Sequence, residues 1–514
     1  MINHPNMRIL AVVILSFCLF SFCQKENQRP NIIYILADDL GYGELGIYGQ
    51  KIIETPNIDA LAKDGMKFTQ HYAGAPVCAP SRCVLLTGKH LGHANIRGND
   101  EWNERGDVWS LKAMDENPSL EGQRPMPDSI ITVAEILKNA GYKTSLFGKW
   151  GLGAPFSEST PNKQGFDYFF GYNCQRQAHT LFPTHLWRNE EKYPLKNKFL
   201  DLHQSLDKSL DPNDPKSYAS FELTDYAPEV MHREAIRYLE KQQKDEPFFM
   251  FYASPLPHVP LQAPAKWVKY YQQKIGPEEP YTGGKSNIYY PNRTPKATYA
   301  AMISYLDEQV GDIVKTLKQK GQYENTLIIF TSDNGPSYAG GAKPEFFNSA
   351  GPFQEQHGRG KGFVYEGGIR VPMIATWPKT IKKGFESNHI SSFYDFMSTI
   401  GDLLQIKTPE NDGISYLPTL TQKKQKKHDY LYWEFPETGG QQAIRMGKWK
   451  AIRTELHKGI VKTQLYDLSK DIREEHDISA SFPEIVKTAE ITFKENHVQA
   501  ANKRFRIRSL GDEM

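Results

Sequence analysis

Four short apolar runs, each ending abruptly on charged or polar side chains, constrain this chain more than any other feature. Asn31–Ala37 runs into Asp38-Asp39 and a glycine turn, Gly41-Tyr42-Gly43. Lys143–Phe147 delivers Gly148-Lys149-Trp150-Gly151-Leu152-Gly153. Pro247–Tyr252 leads to Ser254-Pro255-Leu256-Pro257-His258, and Thr326–Thr331 to Ser332-Asp333-Asn334-Gly335. Continuous apolar runs of this length predict strands buried on both faces of a parallel sheet. Helical stretches separate them. Thr132-Val133-Ala134-Glu135 has capping-box spacing, and Tyr299–Lys320 places Met302, Leu306, Val310, Ile313 and Leu317 on one stripe. Strands alternating with helices specify an α/β sheet, and ligands of such sheets collect beyond the carboxyl ends of the strands. Four unrelated loops loaded with polar groups there predict one shared site.

The stretch Ala75 to Gly88 supplies the reactive group. Pro80 suits a first helical turn, Val84-Leu85-Leu86 buries one face, and Gly88 fits the left-handed cap. Cys78 is thereby expected just ahead of a helix N-terminus that favours negative charge, with Arg82 one turn in. Of five cysteines, Cys18 and Cys23 fall in the N-terminal segment, leaving Cys78, Cys83 and Cys174, too few for a disulfide framework. Cys83 is expected on the buried side of the helix. Asp38, Asp39, Asp333 and Asn334 offer oxygen donors only, which suits a hard cation, Ca²⁺ ahead of Mg²⁺; no His/Cys cluster has zinc spacing.

Cys78-Ala79-Pro80-Ser81-Arg82 followed by Leu86-Thr87-Gly88 resembles the signature of the type I sulfatases, and the other motifs stand in that family's order. The resemblance covers Pro30 to about Arg453 and continues weakly to Asp477. It implies an alkaline-phosphatase-like α/β fold: a large mixed sheet sandwiched by helices, with a small C-terminal antiparallel sheet and a helix. It implies conversion of Cys78 to formylglycine by a sulfatase-maturating enzyme, and calcium held by Asp38, Asp39, Asp333 and Asn334. Arg82 would steady the formylglycine, Lys149, Lys361 and His258 would hold the sulfate, Asp333 would act as base, and His258 or Lys361 would protonate the leaving alcohol. Members commonly read Gly-Lys-Trp-His-Leu-Gly, whereas Gly151 stands at the histidine's place here. His179 is the expected substitute, and Gln175, Arg176 and His179, with His185, Trp187 and Arg188, are expected to line the substrate pocket. Glu366 and Arg370 are expected as scaffold around Lys361.

The implied activity is sulfate-ester hydrolysis on a sulfated carbohydrate. The alternatives are a phosphodiesterase or phosphonate hydrolase of the same superfamily, and an inactive glycan-binding protein on the same scaffold. With 62 Lys+Arg against 60 Asp+Glu, the chain carries no charge excess suited to nucleic acid. Arg8 precedes the apolar run Ile9–Phe22, and Gln24-Lys25-Glu26-Asn27 follows. That pattern predicts a signal peptide over residues 1–23, engagement of the export machinery, and a periplasmic, secreted or lipid-anchored protein. Cys23 offers an acylation site, although Phe22 stands where small residues are usual. The catalytic α/β domain is expected over 24–422. A C-terminal α+β subdomain is expected over 423–514, after the basic linker Gln422–Lys427, which reads as solvated.

Overall fold

The computed structural model describes residues 29–514 apart from 203, 222, 284–288 and 355. The expected signal peptide therefore lies outside the described residues. The strands are β1 (Asn31–Ala37), β2 (Met66–Tyr72), β3 (Lys143–Lys149), β4 (Tyr168–Tyr172), β5 (His185–Arg188), β6 (Glu191–Pro194), β7 (Phe248–Ala253) and β8 (Thr326–Ser332). They continue with β9 (Arg370–Thr376), β10 (Phe385–Ser387) and β11 (Ser391–Ser392). These eleven form one sheet in the order β10-β2-β9-β8-β1-β7-β3-β4-β5-β6, with β11 also on β2. The central pairs β8/β1, β1/β7, β7/β3 and β3/β4 are parallel; β8/β9, β9/β2, β4/β5 and β5/β6 are antiparallel.

Register is what places the site. Ala37 pairs with Ser332, Leu36 with Ala253, and Gly148 with Ala253, so β8, β1, β7 and β3 end at one level. The residues that follow them must emerge side by side. Successive side chains of β1 alternate between the two faces. Ile32, Tyr34 and Leu36 meet a core layer that includes Val84, Leu85, Val133, Ile136, Phe396 and Ile400. Ile33, Ile35 and Ala37 meet Ile58, Leu61, Val230, Met231, Met302 and Leu306. The first layer draws on the helices Cys78–Thr87, Val133–Asn139 and Asp395–Leu404; the second on Pro56–Asp64, Ala227–Lys241 and Pro295–Gln319. Each large apolar side chain buried this way contributes about 1.5–3 kcal/mol, which is what holds the strand ends rigid.

The capping box at Thr132 forms as the spacing predicts, with reciprocal bonds between Thr132 and Glu135. The long helix begins at Pro295, a turn before the expected Tyr299, because a proline at the first helical position sacrifices no donor. The helix Asp395–Leu404 opens with the Asp395 carboxylate taking the Ser392 N–H at 2.8 Å, just past β11.

The C-terminal strands β12 (Leu431–Phe435), β13 (Gln441–Met446), β14 (Trp449–Arg453) and β15 (Gln464–Asp467) form an antiparallel sheet in chain order. The helix Pro483–Asn496 covers it, with Ala489 and Phe493 on Tyr432, Ile444 and Leu465. The Trp433 indole donates to the Ala73 carbonyl at 3.0 Å, tying this sheet to the chain just before the Cys78 helix. Lys423, Lys424, Lys426 and Lys427 of the basic stretch are exposed, as expected of a solvated linker. Among the described residues no helix is long and apolar enough to cross a membrane.

Candidate active site

Cys78 is the first residue of its helix and not the residue before it; the helix runs to Thr87 and closes on Gly88 at φ +68°. Val77 gives no side-chain cap, but Asn99 Oδ1 takes the Ala79 N–H at 3.2 Å. The Cys78 thiol, 1% exposed, lies 3.2 Å from Asp38 Oδ1 and 3.6 Å from Lys361 Nζ. Burial pushes this thiol far above its ordinary value, and Asp38 beside it adds to the shift. An unmodified Cys78 is thus held as an uncharged, weakly nucleophilic thiol. Cys83 faces Met126 Sδ at 3.8 Å, inside the core as expected.

The strand ends deliver the remaining groups. Asp38 Oδ2 receives Lys149 Nζ at 2.6 Å and lies 3.6 Å from the Arg82 guanidinium. Arg82 donates through Nε and NH2 to Asp333 Oδ2 at 3.2 and 2.9 Å, and through NH1 to the Lys149 carbonyl at 2.7 Å. Asp39, in the left-handed region at φ +67°, receives Lys361 Nζ at 2.7 Å and Asn334 Nδ2 at 2.8 Å. Its own N–H donates to Asp333 Oδ1 at 3.1 Å. Burial works against charge on Asp38, yet Lys149, Arg82 and Lys361 together hold it well below the usual carboxylate range. Burial, with Asp38 beside it, pushes Asp333 up to about 7.

His258 gives its Nδ1 proton to the Val259 carbonyl, which leaves Nε2 turned to Asp39 Oδ2 at 3.7 Å. Burial and the neighbouring Lys361 ammonium hold His258 well below its ordinary value, so its imidazole is neutral. His179 stacks on it, ring centroids 4.8 Å apart at 18°. The Nδ1 of His179 is buried and has no hydrogen-bond partner.

Donor atoms of Asp38, Asp39, Cys78 and His258 lie within 4.8 Å of one another. With Asp333 and Asn334 bonded directly into this group, three carboxylates and a carboxamide converge. Asn334 Oδ1 is buried without a partner, an unmet acceptor that a cation would satisfy. The donor set therefore fits a hard metal ion.

Every catalytic or metal-ligating residue expected from the sequence is brought into this one cluster: Asp38, Asp39, Cys78, Arg82, Lys149, His258, Asp333, Asn334 and Lys361. The expected pocket lining is only partly found. Gly151 sits at φ +78°, and a Cβ there would lie 3.3 Å from Gln175 Oε1, so the Gln175 carboxamide stands against this glycine. Arg176 lies over the Trp109 ring and donates to the Trp109 carbonyl at 2.7 Å. His185 and Trp187 are spent on Glu121, at 2.6 and 2.7 Å, and the Arg188 guanidinium lies over Phe170 and Tyr193. Those three brace β5. Glu366 and Arg370 join a cluster with Tyr72 and the C-terminal sheet, and the turn that carries them packs on the Gly360 and Phe363 carbonyls that flank Lys361. Sequence reasoning missed Glu101 and Gln123. Gln123 Nε2 donates to Glu101 Oε1 at 2.7 Å, while Gln123 Oε1 accepts the Gln175 N–H at 3.0 Å. No motif surrounds either residue; only the fold brings them beside Gly151.

Comparison with known proteins bears on this geometry. The sulfatase family profile matches residues 30–406, and the profile of the C-terminal region of N-sulphoglucosamine sulphohydrolase matches residues 356–499. Human arylsulfatase A is 30% identical over 494 residues, 89% of this chain and 86% of that protein. Human N-acetylgalactosamine-6-sulfatase is 28% identical over 451 residues, 84% of this chain and 74% of that protein. Among solved structures, Ps i-CgsB superposes with a TM-score of 0.71 at 29% identity, covering 92% of this chain and 94% of that one. That protein has also been solved in complex with k-i-k-neocarrahexaose.

Proposed function

The chain belongs to the sulfatase family, the hydrolases of sulfuric esters, and from that premise we propose that it removes sulfate from a sulfated carbohydrate, with a formylglycine made from Cys78 and a calcium ion as its working groups. The observation that carries this reading is the seating of the Cys78 thiol at a helix start, 3.2 Å from Asp38 and 3.6 Å from Lys361, among three carboxylates and three cations. Relatives named for N-acetylgalactosamine 6-sulfate and a similar structure bearing a carrageenan oligosaccharide support a sugar as the substrate.

At Cys78 a hydrated aldehyde would supply a nucleophilic hydroxyl and, in its second hydroxyl, a means of restoring the aldehyde. Calcium supplies a fixed positive charge for the sulfuryl oxygens, with Asp38, Asp39, Asp333 and Asn334 to hold it. Around them the chain's own residues divide the remaining work. Arg82, through its two bonds to Asp333, fixes that carboxylate against the nucleophile. Asp333, held by Arg82 beside the nucleophile, is the group that takes its proton. Lys149, buried on Asp38, and the half-buried Lys361, paired with Asp39, offer positive charge where the sulfuryl oxygens gather negative charge. Lys361 is the group that carries a proton for the departing alcohol, while His258, neutral with its proton on Nδ1, presents Nε2 to the leaving side as an acceptor. His179, stacked on His258, extends the same wall toward the sugar.

The apolar run before residue 24 supports export, and the modification of Cys78 requires a maturating enzyme as a partner. Two measurements test the whole reading. Peptide mass across Cys78 should show a loss of about 18 Da on conversion of –CH₂SH to –CHO. Protein carrying that modification should release sulfate from 4-nitrophenyl sulfate, N-acetylgalactosamine 6-sulfate or carrageenan oligosaccharides, and little phosphate from bis(4-nitrophenyl) phosphate. Faster phosphate release would transfer the chain to the phosphodiesterase alternative, and release of neither would leave a binding protein.

A further inference from the structure

The run Gln422-Lys423-Lys424-Gln425-Lys426-Lys427 leads from the large domain into the C-terminal sheet, and it is fastened to the body of the protein. Gln425 Oε1 accepts the Thr419 N–H at 2.9 Å and the Thr419 hydroxyl at 2.8 Å, while its Nε2 donates to the Ser415 carbonyl at 2.8 Å. The Lys423 N–H meets the Pro418 carbonyl at 2.7 Å. The lysine pairs on either side of Gln425 are exposed and make no ion pair among the described residues. Asp429 is the one carboxylate within residues 422–429, against four lysines. Four ammonium groups carried at fixed backbone positions repel one another, and a polyanion relieves that repulsion.

Beside this run a cavity of about 600 Å³ opens along the outer edge of the large sheet, with Phe385, Asn388, His389, Lys423, Lys427 and His428 in its lining. No Asp or Glu lines it, and the carboxylates nearest in the chain are already paired. Asp395, buried, takes His428 Nε2 at 2.7 Å and the Ser392 N–H at 2.8 Å, and Glu386 takes Lys67 at 2.7 Å. A further ammonium, Lys382, stands 5.9 Å from the Phe385 ring centroid. His389 Nε2 is buried without a hydrogen-bond partner, and burial holds that imidazole down to about 4. The cavity therefore combines unpaired cations with an unanswered polar atom, in a volume that suits a sugar ring. The sheet order β10-β2-β9-β8-β1 puts this edge four strand spacings, about 19 Å, from the strand that delivers Asp38 and Asp39.

We propose that this cavity and the lysine pairs around it form an exosite that holds a sulfated stretch of a polysaccharide while another unit of the same polymer occupies the catalytic centre. This rests on the glycan reading above. A polymer that reaches both places binds more tightly than either contact alone allows, whereas a disaccharide cannot bridge them. A membrane surface would call for several exposed apolar side chains beside the lysines, and Phe385, 38% exposed, is the only large one in this lining among the described residues.

The test compares wild type with three variants. The first replaces Lys423, Lys424, Lys426 and Lys427 together by Gln. The second, Asn388→Trp, fills the cavity without changing charge. The third replaces Lys241, Lys269, Lys487 and Lys494 by Gln, removing the same charge from other exposed helix faces. Equilibrium binding of fluorescent chondroitin 6-sulfate and carrageenan polymers is read beside kcat and KM for the polymer, for its disaccharide and for 4-nitrophenyl sulfate. The first two variants should each weaken polymer binding and raise polymer KM by about tenfold. Both constants for the disaccharide and the aryl ester should stay unchanged, and the third variant should behave as wild type. Polymer binding that survives in the first two variants, or falls equally in the third, would overturn the exosite and leave the glycan reading standing. So would capture of duplex DNA or phosphatidylserine vesicles by the lysine run with no capture of either polymer. Turnover of the aryl ester with no glycan cleaved would overturn the glycan reading and the exosite together.

Discussion

Beyond the ends of β1, β3 and β8, three carboxylates and three cations are packed out of water around a thiol and an unmatched carboxamide oxygen. Under the C-terminal sheet a second group of charges is buried as deeply. Lys450, on β14, sits 2.9 Å from Glu366 and 2.9 Å from Glu474, and Glu366 also takes Arg370 at 3.1 Å and the Tyr72 hydroxyl at 2.8 Å. Arg445 of β13 bonds the same Tyr72 hydroxyl. Burying such groups carries a desolvation cost in both places, which pairing offsets only in part. In the second network every cation is spent on joining β2, β9 and the C-terminal sheet. In the first, the Asn334 oxygen is left without a partner among the described residues, beside a thiol held between Asp38 and Lys361. A closed network holds parts of a chain together; one left open toward a common point is arranged for something that arrives.

That contrast breaks most sharply at Cys78. Cys78→Ala should cut sulfate release by at least about 10⁴-fold, since the nucleophile itself is gone, while the melting temperature moves by no more than about 2 °C. Retained turnover would mean that water held by the metal site attacks sulfur directly. The opposite signature is expected from Lys450→Met. It leaves Glu474 without a cation and Glu366 with only Arg370 and Arg445, at a cost of about 3–5 kcal/mol, read as a lowered denaturation midpoint. The kcat/KM of the folded fraction should stay unchanged. Loss of activity at full stability would show that the scaffold network reaches the centre through Glu366 and the segment bearing Lys361.

Removing the metal should fall between these in effect. Treatment with EGTA should lower turnover by about 10²-fold, and Ca²⁺ should restore it more fully than Mg²⁺, because several protein oxygens crowd one point. Calcium should also raise the melting temperature, since only the folded chain assembles the four ligands. No thermal shift with calcium would place the cation elsewhere.

How much of this was legible in advance follows from what each network is made of. The open cluster could be read because its members sit at the ends of apolar runs, and strand ends in one sheet come together whatever the rest of the chain does. Asp38, Lys149 and Asp333 need only that rule. The closed cluster could not be read, because nothing in the local pattern of Glu366 or Lys450 says which distant carboxylate or cation it will meet. That Arg370 turns to Glu366 and the Thr69 carbonyl is written nowhere in the pattern around it. Glu101 and Gln123 were invisible for a similar reason. Their pairing is an isolated bridge between two irregular segments, with no periodicity to betray it.

The smallest effect separates two histidines. His258 is held low by burial and by Lys361, so it stays neutral through the working range of pH. His497 is raised although burial opposes it, because Glu434 Oε2 takes its Nδ1 proton at 2.8 Å and Asp512 Oδ1 its Nε2 proton at 3.0 Å. A histidine whose folded value lies above its ordinary value stabilises the fold fully below about 6.5, and the contribution is lost as pH rises through the folded value. Stability should therefore slip by about 1 °C in melting temperature as pH rises from neutral into the alkaline range, with the loss confined to the C-terminal region. His497→Gln should lower stability at acid pH and flatten that slope, whereas His258→Gln should leave the slope intact and act on turnover alone. A slope that survives in His497→Gln would assign it to another group, and the two histidines would then differ in position only.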